Sequence, residues 1–244
     1  MNETRRQALL ARCRGIRITD WHDAVDAIGL FDRGLMSPDI QPLWRDVEGF
    51  AHRIVGLAFT VRYVPATETI IAATPEDFLR QKGEWYGSQL NWAAQLRPGD
   101  LIVFDGTNTR DTGFIGSMNS LTWLAKGAVG CVTNAGARDT DELIKQRVPV
   151  YCRGVARGTQ PNRVRVDGYQ VPIECGGVYV RPGDLVAADG DGVMVIPKDR
   201  IEDALKIACE IQQSDQQSRA RLYDELGMPR DFTLGRTDNG TSRG

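Results

Sequence analysis

GSMNSLTWLAKGAVGCVTNAGARD, residues 116 to 139, is the stretch whose reading decides the fold. Met118, Leu121 and Leu124 recur at helical spacing from Gly116 to Lys126, and Gly127 stops that helix. Gly130-Cys131-Val132-Thr133 is a short apolar run of the kind that forms a buried strand. A small-residue loop, Asn134-Ala135-Gly136-Ala137, follows, and Arg138-Asp139 then stands at the start of a second helix running through Lys145. Helix, buried strand and helix in quick succession indicate an α/β fold.

The same stretch carries the chemistry. A guanidinium placed after a buried strand and a glycine-bearing loop suits a carboxylate, so Arg138 is a candidate for substrate recognition. Asp139 has a plain reading as the N-cap of the second helix, with Asp141 and Glu142 suiting the positive end of its dipole. The N-terminus of the first helix, Gly116-Ser117-Met118-Asn119, offers free backbone N–H groups. Those groups and Arg138 form an anion site for a small carboxylate, and Asp139 beside them is a candidate ligand for a divalent metal. Together they describe a site for a 2-oxo acid, where Arg138 and a metal polarise the carbonyl and stabilise an enolate.

Outward from this stretch, other elements can be placed. Thr4 caps a helix to about Arg14, and a short helix runs from Trp21 to Ile28. Residues 34 to 50 read as loop, Gly56 to Tyr63 as a strand, and Pro75 opens a helix toward Leu96. Leu101 to Phe104 is a buried strand entered by the turn Arg97-Pro98-Gly99-Asp100. Strands are expected at Val148 to Tyr151, Asn162 to Val166 and Tyr169 to Ile173. A second turn of the same composition, Arg181-Pro182-Gly183-Asp184, enters Leu185 to Ala188. The repeat reads as turn chemistry rather than duplication, because Pro fixes φ, Gly takes a left-handed position and Asp bonds the turn backbone. Asp189-Gly190-Asp191-Gly192 is a hairpin turn into Val193 to Ile196, not a calcium loop, for it lacks the further ligands. Pro197 opens a last helix to about Glu225. Residues 1–235 are expected to form one domain, with 236–244 a disordered polar tail.

Composition narrows the function classes. Lys and Arg total 30 against 32 for Asp and Glu, and this balance argues against a dedicated nucleic-acid binder. No apolar run is long enough for a membrane span, and Met1 to Arg6 has no apolar core behind it as a secretory signal would. The 5 cysteines are odd in number and scattered without a C-x-x-C pair, which suggests neither a disulfide framework nor a zinc knuckle and reads as a reduced, cytoplasmic setting. With 2 histidines, His22 and His52, a multi-histidine metal site is not expected.

The spacing G-x10-G-x2-G-x7-R-D, at Gly116, Gly127, Gly130, Arg138 and Asp139, resembles the RraA-like family, in its 4-hydroxy-4-methyl-2-oxoglutarate / 4-carboxy-4-hydroxy-2-oxoadipate aldolase branch. The block RPGDLVAADGDGVMVIP, Arg181 to Pro197, resembles the same family's following strand pair. The resemblance covers roughly residues 15 to 225. It implies an RraA-like swivelling β/β/α domain flanked by N- and C-terminal helices, assembled as a homotrimer or a dimer of trimers. It further implies a metal-dependent class II pyruvate aldolase with oxaloacetate decarboxylase side activity and a site between subunits. By that resemblance Arg138 binds the carboxylate and carbonyl end, Asp139 contacts Mg²⁺ or Mn²⁺, and the amides of Met118 and Asn119 hold the pyruvyl carboxylate. By the same resemblance a further acid, from a neighbouring subunit's last helix, joins Asp139 at the metal and falls at Asp215, which continues the apolar stripe of Ile201, Ala204, Leu205, Ala208 and Ile211.

This chain departs from the pattern in three places. Ser117 stands where the aldolases carry an acid, Met118-Asn119 replaces Leu-Leu, and Asn134-Ala135 replaces Asp-Gly in the loop before R-D. The missing acid at 117 admits an alternative, a dehydratase or other lyase acting on a sugar acid or related hydroxy acid. A second alternative is a non-catalytic regulator of the RNase E type, although the retained Asp139 favours an enzyme. A methyltransferase is discounted, because no Gly-rich nucleoside loop follows a first strand. Arg110 in Asn108-Thr109-Arg110-Asp111 is a candidate reader of the substrate's distal groups, against the plain reading of a surface ion pair. His22 reads as structural, and Trp85, Tyr86 and Trp92 as core or interface.

Overall fold

The structure is a computed structural model and describes residues 1–107, 109 and 111–235. The expected disordered tail, 236–244, lies outside the described residues. Two helices lead, α1 (Glu3–Cys13) and α2 (Ile18–Ala27), followed by the short strand β1 (Gln41–Pro42) and the long strand β2 (Ile54–Pro65). Helix α3 (Pro75–Gln89) and a 3-10 turn (Asn91–Gln95) precede β3 (Asp100–Asp105). Then come β4 (Gly113–Ile115), α4 (Ser117–Ala125), β5 (Gly130–Thr133), β6 (Gly136–Ala137), α5 (Thr140–Lys145), β7 (Val150–Cys152) and β8 (Gly154–Val155). The chain continues through β9 (Val164–Tyr169), β10 (Ile173–Cys175), β11 (Val178–Val180), β12 (Leu185–Asp189) and β13 (Gly192–Ile196). It ends in α6 (Ile201–Leu226) and a second 3-10 turn (Phe232–Leu234).

The main sheet has the order β1-β7-β5-β3-β2-β12-β13, with β9 added to the outer half of β2. Its centre, β2-β3-β5-β7, is parallel, and the other pairings are antiparallel. The two ends of the order approach each other. Leu35 bridges to Met194, and the Met36 N–H donates to the Val193 carbonyl at 3.0 Å. The sheet is thereby nearly closed and barrel-like. A separate small parallel sheet, β4-β6-β8, sits beside it.

Period-2 alternation explains why the strand sequences are almost unbroken in apolar residues. Ala58, Leu101, Val103, Val132, Tyr151, Val186, Ala188, Val193 and Val195 share the inner core. Their neighbours in sequence point outward, where helices cover them. Phe59, Val61, Ile102, Phe104, Cys131 and Val150 meet Trp92, Trp123 and Leu143 on one side. Leu57, Leu185, Ala187, Met194 and Ile196 meet α1, α2 and α6 on the other, through Leu10, Trp21, Ala24 and Leu205. With both faces buried, neither set tolerates a polar side chain without a partner.

The two R-P-G-D turns lie on either side of β2. In each, the Asp carboxylate accepts the Arg backbone N–H, at 2.7 Å for Asp100 and 2.8 Å for Asp184. Gly99 and Gly183 have φ of 84° and 83°. The plain turn reading therefore holds, and the turns set the register of β3 and β12 against Leu57. The first turn is also clamped from α1, where buried Arg6 pairs with Asp100 at 2.5 Å.

Several boundaries differ from the sequence reading, each for a local reason. Asn2, not Thr4, caps α1, its Oδ1 accepting the Arg5 N–H at 2.9 Å. Helix α2 begins at Ile18, whose N–H is taken by the hairpin residue Asp189 at 3.0 Å. The 34–50 loop contains β1, and the helix from Pro75 stops at Gln89 before a 3-10 turn. The expected strands 162–166 and 169–173 are instead β9 and β10, because Gln170, at φ 52°, turns the chain between them. Pro197 precedes a turn closed by the Arg200 N–H on its carbonyl at 2.8 Å, so α6 begins at Ile201. Among the described residues no helix is long and apolar enough to cross a membrane.

Candidate active site

The small sheet positions the site. Strand β4 runs directly into α4, and β6 runs through Arg138-Asp139 into α5, so two helix N-termini lie side by side at its carboxyl edge. The Arg138 N–H donates to the Ile115 carbonyl at 2.9 Å, extending the β4–β6 pairing up to the first residue of the pair.

Asp139 occupies the N-cap position of α5 but does not cap it. No side-chain cap bond is made there, and the backbone is left-handed at φ 54° and ψ 42°. Such a conformation costs an Asp about 1 kcal/mol and re-aims the side chain. The carboxylate turns to the other helix, where Oδ2 accepts the Ser117 N–H at 3.1 Å, with Ser117 Oγ at 3.5 Å. The reading of Asp139 as a simple N-cap is therefore corrected: its carboxylate caps α4 from outside. Gly116 makes this possible, since a Cβ there would stand 2.8 Å from Asp139 Oδ2.

Arg138 has a matching arrangement. Its stem lies over Gly113, where a Cβ would meet Arg138 Cγ, Cδ and Cβ at 2.8, 2.9 and 3.0 Å. The half-buried guanidinium keeps Nε 3.8 Å from Asp139 Oδ1. The sequence reading did not single out Gly113. The only available signal was a glycine opening a short apolar run.

The other glycines of the spacing have structural causes. Gly127 has φ 97° and packs on Pro98, and a Cβ on Gly130 would collide with Ile54 and the Pro149 carbonyl. At the α4 end the N-cap is Gly116, which has no side chain to satisfy the first amides. With the Ser117 N–H taken by Asp139, the N–H groups of Met118 and Asn119 remain as the helix end's open donors. Met118 is 73% exposed and Asn119 half-buried, so these amides are at the surface beside Arg138 and Asp139. An anion reaching them also meets the positive end of the α4 dipole.

The expected site residues Gly116, Ser117, Met118, Asn119, Arg138 and Asp139 are thus brought together. Arg110 lies outside the described residues. Its neighbour Asp111 forms a surface ion pair with Arg157 at 2.9 Å, which holds its carboxyl below the ordinary range. Asp215 is ion-paired to Arg17 at 2.5 Å and makes no bond to Asp139 within the chain. Asn134 is buried, and its Oδ1 accepts the Gly106 N–H at 2.7 Å, tying the loop before Arg138 to the end of β3. Burial raises the Asp105 carboxyl next to it.

No group of three or more metal-ligating side chains is present among the described residues. Asp139 by itself offers one hard oxygen, Oδ1, that is not hydrogen-bonded, and its side chain is 39% exposed. That donor set suits an ion such as Mg²⁺, which retains most of its waters and needs only one or two carboxylates.

Comparison with known proteins identifies the family. Protein DlpA of Legionella pneumophila is 27% identical over 213 residues, spanning 87% of this chain and 31% of DlpA. A 4-hydroxy-4-methyl-2-oxoglutarate aldolase of Thermus thermophilus is 31% identical over 102 residues, 41% of this chain and 60% of that protein. The matched segments thus span less than two thirds of either relative. The crystal structure of Streptomyces coelicolor RraAS2, described as an unusual member of the RNase ES inhibitor RraA protein family, has the same fold. Its TM-score is 0.70 at 22% identity, covering 87% of this chain and 96% of that one. The RraA-like family (Aldolase/RraA) matches residues 18–195, from the start of α2 into β13, and the chain belongs to it.

Proposed function

We propose that the protein is a carbon–carbon lyase that cleaves a 4-hydroxy-2-oxo acid to pyruvate and a second oxo acid. The observation that carries this reading is the convergence of Arg138, Asp139 and the open amides of Met118 and Asn119 on one spot, with Gly113 and Gly116 clearing the space. The carboxylate of a 2-oxo acid is held by the Met118 and Asn119 N–H groups. The Arg138 guanidinium reaches the C2 carbonyl oxygen and stabilises the negative charge that develops there when the C3–C4 bond breaks, its electron pair passing into the enolate as the 4-hydroxyl loses its proton to water and C3 is then protonated. Asp139 is the side chain that would hold Mg²⁺ or Mn²⁺, an ion that would polarise the same carbonyl. The same arrangement also supports decarboxylation of oxaloacetate, since both reactions pass through the enolate of pyruvate. The family's aldolase relatives support the reading.

The test is pyruvate formation from oxaloacetate and from 4-hydroxy-4-methyl-2-oxoglutarate, with Mg²⁺ or with EDTA, alongside Arg138→Ala. Free Mg²⁺ promotes oxaloacetate decarboxylation, so the variant sets the background. Metal-dependent turnover that falls by about 100-fold or more in Arg138→Ala is expected, in line with the loss of one charge-stabilising donor. Turnover of oxaloacetate alone would direct attention to Ser117 and to a different hydroxy acid. No turnover of either above the variant would overturn the pyruvate-lyase reading in favour of a sugar-acid lyase or a protein-binding regulator.

A further inference from the structure

A cavity of about 600 Å³ opens where the α1–α2 junction, the turn before β2, the outer half of α6 and the last 3-10 turn meet. Arg14, Arg17, Arg53 and Arg219 line it, and among the described residues no acidic side chain does. Arg17 is neutralised by Asp20 and Asp215, each at 2.5 Å. The other three have no carboxylate at ion-pair distance among the described residues. Arg219 donates to the Thr233 carbonyl at 3.2 Å. Arg53 lies 4.1 Å above the centre of the Phe50 ring, and its Nε is buried without an acceptor. A buried charged N–H without a partner is costly and marks a place where an acceptor belongs. Asp189 accepts the N–H groups of Ile18 and Asp191. Asp231 accepts the Thr233 hydroxyl and N–H and the Tyr223 hydroxyl, which, with the more distant Arg219 charge, hold its carboxyl below the ordinary range.

The backbone sets the aromatic wall of the cavity. Phe50 has φ 53°, a left-handed conformation that disfavours a bulky residue. The turn is held there by Asp46, whose carboxylate accepts the N–H groups of Gly49 and Ala51, each at 3.1 Å. The result places the Phe50 ring beneath Arg53 and edge-on to Phe232, with ring centres 5.1 Å apart.

We infer that this cavity binds a phosphate-bearing small molecule. Arg14, Arg53 and Arg219 take its phosphate groups, and its organic part lies along Phe50 and Phe232. Three guanidinium groups without a carboxylate at ion-pair distance among the described residues suit a multiply charged anion, their fork geometry fits phosphate oxygens, and the volume suits a nucleotide-sized ligand. Arg53 immediately precedes β2, at the amino edge of the parallel strands, whereas Arg138 and Asp139 follow β6 at the carboxyl edge of the small sheet. The inference therefore does not depend on the lyase reading.

Calorimetry on the full chain at low salt, with inorganic pyrophosphate, ADP and citrate as probes, tests it. Pyrophosphate is expected to bind, ADP to bind more tightly, and citrate more weakly than either. Arg14→Gln, on an exposed side chain, and Arg219→Gln, on a half-buried one, should each weaken pyrophosphate by about tenfold. Arg138→Ala should leave its binding unchanged. Melting curves of the two glutamine variants report folding, and either variant alone decides if the other fails to fold. No binding of pyrophosphate or ADP at millimolar concentration, or binding indifferent to both substitutions, would overturn the proposal. So would loss of binding in Arg138→Ala, which would place the anion at the other site. Citrate binding as tightly as pyrophosphate would overturn the phosphate assignment.

Discussion

At the residue scale, two glycines make room for two charged side chains. The Cβ of Gly116→Ala would press on the Asp139 carboxylate at 2.8 Å and dislodge it from the Ser117 amide. For the proposed lyase the expected outcome is a fall in kcat/KM of about tenfold or more with little change in stability, because misplacing a positioned group costs rate and this carboxylate is partly exposed. Steady-state kinetics beside a denaturation curve checks it. His52 provides a pH prediction. Burial, followed by the Arg53 charge, depresses its pKa below the ordinary 6.5, and its Nδ1 accepts the Asp46 N–H at 3.1 Å. A depressed folded-state value means the unfolded chain binds the proton first. The stability contributed by neutral His52 is therefore present above about pH 6.5 and lost as pH falls below it. His52→Asn, whose side-chain oxygen can accept the same N–H without titrating, should flatten the fall in melting temperature between pH 7 and about pH 5.

At the element scale, two turns of identical sequence experience different surroundings. Gly99 and Gly183 share a left-handed φ, so alanine at either costs about 1 kcal/mol in backbone strain. A Cβ on Gly99 would also lie 2.3 Å from Leu10 of α1, whereas one on Gly183 would meet only Lys198 at 4.0 Å. Gly99→Ala should therefore destabilise by about 1–3 kcal/mol more than Gly183→Ala in denaturant melts. Equal losses would mean that α1 does not press on the turn as described. Helix α5 shows the limit of element-level reading. A start at Asp139 or Thr140 followed from capping statistics, yet the side chain that should cap α5 serves α4.

At the scale of the whole molecule, sheet closure depends on a short seam. The Val195 N–H donates to the Gly34 carbonyl at 2.8 Å, and the Met36 N–H to the Val193 carbonyl at 3.0 Å. Gly34 has φ 94°, and a Cβ there would fall 2.2 Å from the Val195 carbonyl oxygen. Gly34→Ala should open this seam, so amide exchange at Met36 and Val195 is expected to accelerate while that at Ile102 and Val103, in the sheet centre, stays slow. Uniform loss of protection would instead show that the seam and the core unfold together.

The sequence by itself determined most of the local elements and singled out the charged pair Arg138-Asp139. Unbroken apolar runs such as Leu101 to Phe104 and Leu185 to Ala188 read as strands buried on both faces. Turn residues read as turns, and Arg138-Asp139 after a glycine-bearing loop read as a charged site, because each depends on neighbours a few residues away. Only the tertiary structure decided where those groups point. That Asp139 turns to Ser117, that Gly113 accommodates Arg138, that Asp215 is tied to Arg17 and that three arginines from separate elements face one cavity all depend on contacts between distant parts of the chain. A linear pattern does not encode such contacts one by one. They follow from the packing of β2, its two flanking strands and the helices that cover them, where burial of apolar surface outweighs the preference of any single polar side chain.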